Sequence, residues 1–226
     1  MTAGHKKWVY ILWATIVLVP LVIAAIYLGS LIRGKTIQDE AAEYGRKGVK
    51  LFREGKLKEA SEAFEKALEL NPKDAGIHYQ LAMTYENMGR TNLAIKHYKS
   101  TIQLMPKAPE PHYNLAAMYK SRNELDKAIK ELKIAIDLNP KFTGAYLTLA
   151  EYLALKGKLD QAEKYYREVM RIGKQRFDLV EAHNGLAKIY IEKGMVDAAI
   201  AEWQKTLKLD PENKEARRGI KERGGE

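Results

Sequence analysis

A 34-residue period governs this sequence. One alanine recurs at Ala60, Ala94, Ala128, Ala162 and Ala199, in steps of 34, 34, 34 and 37. A small residue twelve positions earlier keeps the same phase: Gly48, Ala82, Ala116, Ala150 and Ala187. Three positions beyond it comes Leu51, Tyr85, Tyr119, Leu153 or Tyr190. Four beyond each marker alanine comes Phe64, Tyr98, Leu132, Tyr166 or Trp203. A turn residue stands five before the marker, at Gly55, Gly89, Asn123, Gly157 and Gly194, and a proline twelve after it, at Pro72, Pro106, Pro140 and Pro211. Periods of this length belong to stacked arrays, because one unit cannot bury its own apolar face.

Each register has a physical reading. Large residues spaced by three and four make an apolar helix face. Gly or Asn ends the first helix, where a left-handed backbone is wanted. The Asn-Pro and Asp-Pro pairs close the second helix, since the residue before proline avoids the helical region. Alanine and glycine let the helices approach closely. Each unit therefore reads as a helix–turn–helix hairpin.

On these residues the chain resembles the tetratricopeptide repeat (TPR) family. The repeats fall at 41–74, 75–108, 109–142, 143–176 and 180–213, with a three-residue insertion at 177–179 and a C-terminal cap at 214–226. The resemblance implies an all-α fold, a right-handed α-solenoid of five hairpins closed by a capping helix. Three positions depart from the pattern. Lys47 stands where later units have Leu81, Leu115, Leu149 and Leu186, so the first unit has a wetter face. Lys174 replaces the closing proline of repeat four, which predicts an irregular junction over 171–179. In the cap, Ala216 and Ile220 are expected to cover the last hairpin while Arg217, Arg218, Lys221, Glu222 and Arg223 face water.

Ahead of the repeats, Trp8–Ile32 is a run of 25 residues without a charge. About 20 helical residues cross a hydrocarbon core. Trp8, Tyr10 and Trp13 near one end and Tyr27 near the other resemble interfacial aromatics, and Pro20 predicts a mid-span kink. A cleaved signal peptide is the competing reading, but its apolar core is shorter, about 7–15 residues, and ends in a small-x-small site not evident here. The sequence is read as residues 1–34 tail and transmembrane anchor, with 35–40 a linker. Lys6 and Lys7 flank one end; Arg33, Lys35, Arg46, Lys47 and Lys50 follow the other. The positive-inside bias thus leans, by a narrow margin, towards a cytoplasmic repeat domain, with a periplasmic or lumenal one the alternative. Small TPR proteins with one such span suggest a bacterial inner or organellar membrane.

The net charge is +9, with Lys6 and Lys7 before the apolar run, and both signs are interspersed along the repeats. No block of like charge suggests a nucleic-acid tail, and no base-reading pattern recurs per repeat. Cysteine is absent, which excludes disulfides and thiolate metal sites. His78, His112 and His183 share one register on separate hairpins, with Tyr44 and Tyr146 in the others, so they read as packing positions rather than a metal site. No nucleophile elbow, phosphate loop or dinucleotide fingerprint occurs. The chain is expected to be no enzyme and to need no cofactor.

The resemblance implies partner binding on the face lined by each first helix, with the residues three and two before, and one after, the small Gly or Ala pointing into the groove. The candidates are Tyr79, Gln80, Met83, Tyr113, Asn114, Leu147, Thr148, Glu151, Asn184 and Lys188. Tyr79, Tyr113 and Leu147 form an apolar column beyond what the core registers require; it serves either as a groove surface or as packing between neighbouring first helices. The clamp with which family members hold a heat-shock protein's C-terminal carboxylate needs Lys and Asn where Tyr79 and Met83 stand, and Lys and Arg where Gly144 and Thr148 stand. That clamp is therefore not expected. The sequence reads as a membrane-anchored protein-interaction scaffold or assembly adaptor; the alternative is a permanent structural subunit of a larger membrane complex.

Overall fold

A computed structural model of the chain describes residues 18–224, with Lys35 described by its backbone alone. The described residues form eleven α-helices and no strand: α1 (Val19–Arg53), α2 (Leu57–Leu70), α3 (Ala75–Asn87), α4 (Thr91–Leu104), α5 (Pro109–Ser121), α6 (Leu125–Leu138), α7 (Thr143–Leu155), α8 (Leu159–Ile172), α9 (Arg176–Glu192), α10 (Val196–Leu209) and α11 (Lys214–Arg223). They divide into two units, 1–84 and 85–226.

The turn chemistry follows the repeat. Gly55, Gly89, Gly157 and Gly194 have φ of 70–74°, and Asn123 has φ 61°. These are left-handed conformations that side chains with a Cβ resist. At the far end of each second helix the residue before proline leaves the helical region: Asn71 has φ −133° and ψ 82°, Asn139 φ −137° and ψ 91°, and Asp210 φ −135° and ψ 88°. The proline ring disfavours the helical conformation in the residue before it.

In the first unit α1 runs unbroken for 35 residues. The segment 35–40, expected as a linker, is helical and continues both the apolar run and the first repeat helix. From Leu18 to Gly34 the chain is not buried against anything: all seventeen residues are exposed. Pro20 lies in the first described turn of α1. A kink there would involve residues before Leu18, outside the described residues, as do Trp8, Tyr10 and Trp13. Further along, α1 meets α2. Gly48 is required by that approach, since a Cβ there would sit 2.6 Å from the Phe64 ring. Lys47 is exposed, as its departure from leucine anticipated.

The second unit is the more regular. Leu115, Leu149 and Leu186 are at most 1% exposed, and Ala94, Ala128, Ala162 and Ala199 are fully buried. Neighbouring hairpins are tied through the residue that precedes each left-handed turn. Arg122 donates to Asn92 at 3.2 Å, Lys156 pairs with Asp126, and Lys193 reaches Asp160 and Glu163, each at 2.7 Å. These links recur because the turn of one hairpin falls beside the start of the previous second helix. Solvent screens these pairs, so each adds little to stability on its own.

The first and second helices of a hairpin meet through pairs 19 residues apart. His112 Nδ1 lies 2.6 Å from Glu131, His183 Nδ1 lies 2.6 Å from Glu202, and the rings of Tyr146 and Tyr165 are 6.2 Å apart. His78, in the same register in the first unit, instead meets the Pro72 carbonyl at 3.1 Å. The histidines are local packing partners on separate hairpins.

The junction after repeat four is shorter than 171–179. The chain leaves the helix only between Ile172 and Arg176. Residues 177–179 join α9, making it 17 residues long where α5 and α7 have 13. At the C-terminal end α11 covers Trp203. Ala216 is fully buried, and Gly219 lies so close that a Cβ would be 2.5 Å from the indole. Asn213 caps α11 by accepting from the Ala216 N–H at 3.1 Å.

Candidate protein-binding cleft

The first helices of the second unit enclose one cleft of about 500 Å³, lined from α5, α7 and α9 with Tyr166 of α8. Six of the expected groove residues line it: Tyr113, Leu147, Thr148, Glu151, Asn184 and Lys188. Asn114 is half-buried on α5 and is not in the lining. Tyr79, Gln80 and Met83 are half-buried on α3 in the first unit and do not line that unit's cleft, which is bounded by Ala42, Gly45, Arg46, Val49, Lys50, Arg53, Glu54 and Ile77.

The six do different things. Tyr113 packs its ring on Phe142, with centroids 5.0 Å apart, and its hydroxyl oxygen accepts from Thr148 Oγ1 at 3.4 Å. It braces the next hairpin and lines the cleft. Leu147 and Thr148 are half-buried beside it. Glu151 is exposed. Lys188 is exposed and pairs with Glu215 at 2.9 Å.

Asn184 is a structural residue as much as a groove residue. It is 4% exposed. Its Oδ1 accepts from Thr206 at 3.0 Å, and its Nδ2 donates to Asn213 Oδ1 at 3.4 Å. Through Asn213 it links α9 to the capping helix. A buried amide of this kind is held by its hydrogen bonds and costs free energy when they are lost.

Two apolar residues of the cleft lay outside the groove registers. Phe177 is 66% exposed and Leu155 is 59% exposed. Phe177 stands on the extra turn of α9 that residues 177–179 create. The period was the only guide to groove positions, and an insertion falls outside any period. The composition of the insertion, Phe177 and Leu179 around Asp178, was the available signal.

The cleft is also acidic. Its lining holds Glu151, Asp178, Glu181 and Glu192 against the single base Lys188. Tyr166, whose ring lies against Gly185, has its phenol pushed up to about 12, first by burial and then by the charges of Glu151, Glu181 and Glu215. Burial and Glu151 push Tyr152 up to about 12 as well.

Comparison with known proteins agrees with this architecture. Tetratricopeptide repeat models match residues 75–107, 112–176 and 180–213, and a TPR repeat model matches 48–89. The chain is built of tetratricopeptide repeats. Among solved structures, the crystal structure of MamA protein is similar at 27% identity and TM-score 0.70, covering 76% of this chain and 93% of that one. A thermophilic TPR protein from Thermus thermophilus is similar at 27% identity and TM-score 0.57, covering 80% and 97%. YrrB, described as a TPR protein with an unusual peptide-binding site, shares the fold at 21% identity and TM-score 0.68, covering 83% and 96%. No curated protein matches the sequence.

Proposed function

We propose that this chain is a membrane-anchored adaptor that holds a protein partner in the cleft of its second unit. The observation that carries the reading is the cleft itself: a concave site of about 500 Å³, lined by Tyr113, Leu147, Leu155 and Phe177 on the first helices of successive hairpins. Apolar surface left uncovered in a repeat array marks an interaction site. The anchor is Trp8–Ile32. What supports it is one helix long and apolar enough to cross a membrane, with mean hydropathy 1.3 and no burial of the apolar window. Tethering raises the effective concentration of whatever the cleft holds near the membrane.

The test is photocrosslinking in intact membranes, with a benzoylphenylalanine at Leu155 and a control at the exposed Lys133 of α6. The expected result is a protein adduct from Leu155 that the control lacks, in a chain that keeps its N-terminus and resists carbonate extraction. Equal labelling from both positions would sink the cleft. A mature chain beginning near Gly29 would sink the anchor.

A further inference from the structure

The charge of the cleft runs against the charge of the chain. The protein as a whole carries +9, yet the cleft wall presents four acids and one base. That base, Lys188, is already engaged by Glu215 at 2.9 Å. Glu151, Glu181 and Glu192 are exposed and form no ion pair among the described residues. Several carboxylates outside the cleft are held in ion pairs. Asp126, Asp160, Glu163, Glu168, Glu202 and Glu222 each hold a Lys or Arg. In the cleft, Glu151, Glu181 and Glu192 stand among the exposed apolar residues Leu155 and Phe177.

We infer that the cleft takes an extended, basic peptide segment whose apolar side chain seats between Phe177 and Leu155 while its Lys or Arg residues meet Glu151, Glu181 and Glu192. The inference rests on the adaptor reading above and adds the chemistry of the partner. Two features select this occupant. Complementary charge favours a cationic segment, and an acidic one would be repelled by three carboxylates while the one base, Lys188, is engaged by Glu215. Phe177 at 66% exposure and Leu155 at 59% supply apolar area that a wholly polar polycation would leave wet, so the segment carries a large apolar residue as well. An extended backbone suits a cleft open along several helices, where the hydroxyl of Thr148 lies among the lining residues.

The probes are two fluorescein-labelled decapeptides that differ only in charge, one alternating lysine with leucine and one alternating glutamate with leucine. Binding to the full chain in detergent is read by fluorescence anisotropy at two salt concentrations. The basic peptide is expected to bind at least about tenfold more tightly than the acidic one, and to weaken as salt rises. The double variant E151Q/E181Q removes most of that charge preference. F177A weakens the basic peptide by about tenfold or more, the usual effect of deleting an aromatic anchor, while circular dichroism stays unchanged. Equal binding of the two peptides, or insensitivity to E151Q/E181Q, overturns the inference. So does self-association of the chain that F177A abolishes, since the occupant is then a second copy.

The crosslinking result separates the two levels. A protein adduct at Leu155 with no preference for the basic peptide leaves the adaptor standing and removes the partner's chemistry. Absence of both the adduct and peptide binding removes both.

Discussion

Two clefts on first helices, one in each unit, have opposite chemistry. In the first unit the wall holds Arg46, Lys50 and Arg53 with Gly45, Val49 and Ile77, and its one acid, Glu54, is paired with Lys56 at 2.8 Å. In the second it holds Glu151, Asp178, Glu181 and Glu192 with Tyr113, Leu155 and Phe177. The buried registers of the two units are nevertheless alike, with small residues at the helix crossings and large ones between them. Packing constrains one set of positions and leaves the neighbouring set open. The fold is therefore written in the first set, and whatever distinguishes one site from another is written in the second.

The sharpest way to break that division is to exchange roles at one register. Leu149 is fully buried and its counterpart Lys47 is exposed. Leu149→Ala is expected to cost about 2–5 kcal/mol, as deletions in packed cores do. Lys47→Ala should stay within about 0.5 kcal/mol. Guanidinium titration followed by circular dichroism reads both, and similar costs would mean that the first repeat is packed like the others.

Asn184 sharpens the comparison from inside the groove. Replacing it by alanine strands the Thr206 and Asn213 groups it now joins, for an expected loss of about 1–3 kcal/mol. Affinity for a cleft ligand should fall far less than in F177A. A pure binding defect with unchanged stability would reverse that assignment.

Gly157→Ala gives a smaller effect. Nothing lies within 4 Å of a Cβ at this site, but its φ is +70°. The cost is backbone strain alone, about 1 kcal/mol, measured as a shift in the denaturation midpoint. No shift would mean that the turn relaxes.

The smallest effect is one of pH. Hydrogen bonding to Lys193, joined by Arg167 and Tyr190 and opposed by burial, holds the Glu163 carboxyl below its ordinary 4.5. The folded value is the lower one, so the stabilisation is present above the unfolded pKa and is lost as pH falls through the folded value. Wild type should lose stability below about pH 4.5 more steeply than Glu163→Gln, in parallel denaturant titrations. Identical acid limbs would show that the link between hairpins four and five contributes nothing.

Much of the architecture could be read directly. Gly55, Asn123 and Gly194 announced left-handed turns because few residues tolerate that backbone, and Pro72 and Pro140 announced helix ends because they have no alternative. The alanine registers were equally plain. The site was legible only in part. Tyr113 and Leu147 kept to the period, and both line the cleft. Phe177 did not, because the three inserted residues lengthen α9 instead of forming a loop, and a helix extension looks like a junction when only spacing is visible. Asn184 was placed in the groove by register, but its partners Thr206 and Asn213 come from an adjacent helix and from the cap. Such a bridge arises from three segments meeting and has no signature in any one of them.

The unbroken α1 has an angular consequence. A helix turns about 100° for each residue, and no joint separates its apolar stretch from the first hairpin. Adding or deleting a single residue within 35–40 would therefore swing that hairpin around the helix axis by more than a quarter turn. Adding seven would restore its heading and lift it by about 10 Å. In such a chain the spacing between the apolar stretch and the repeats works as a bearing as well as a length.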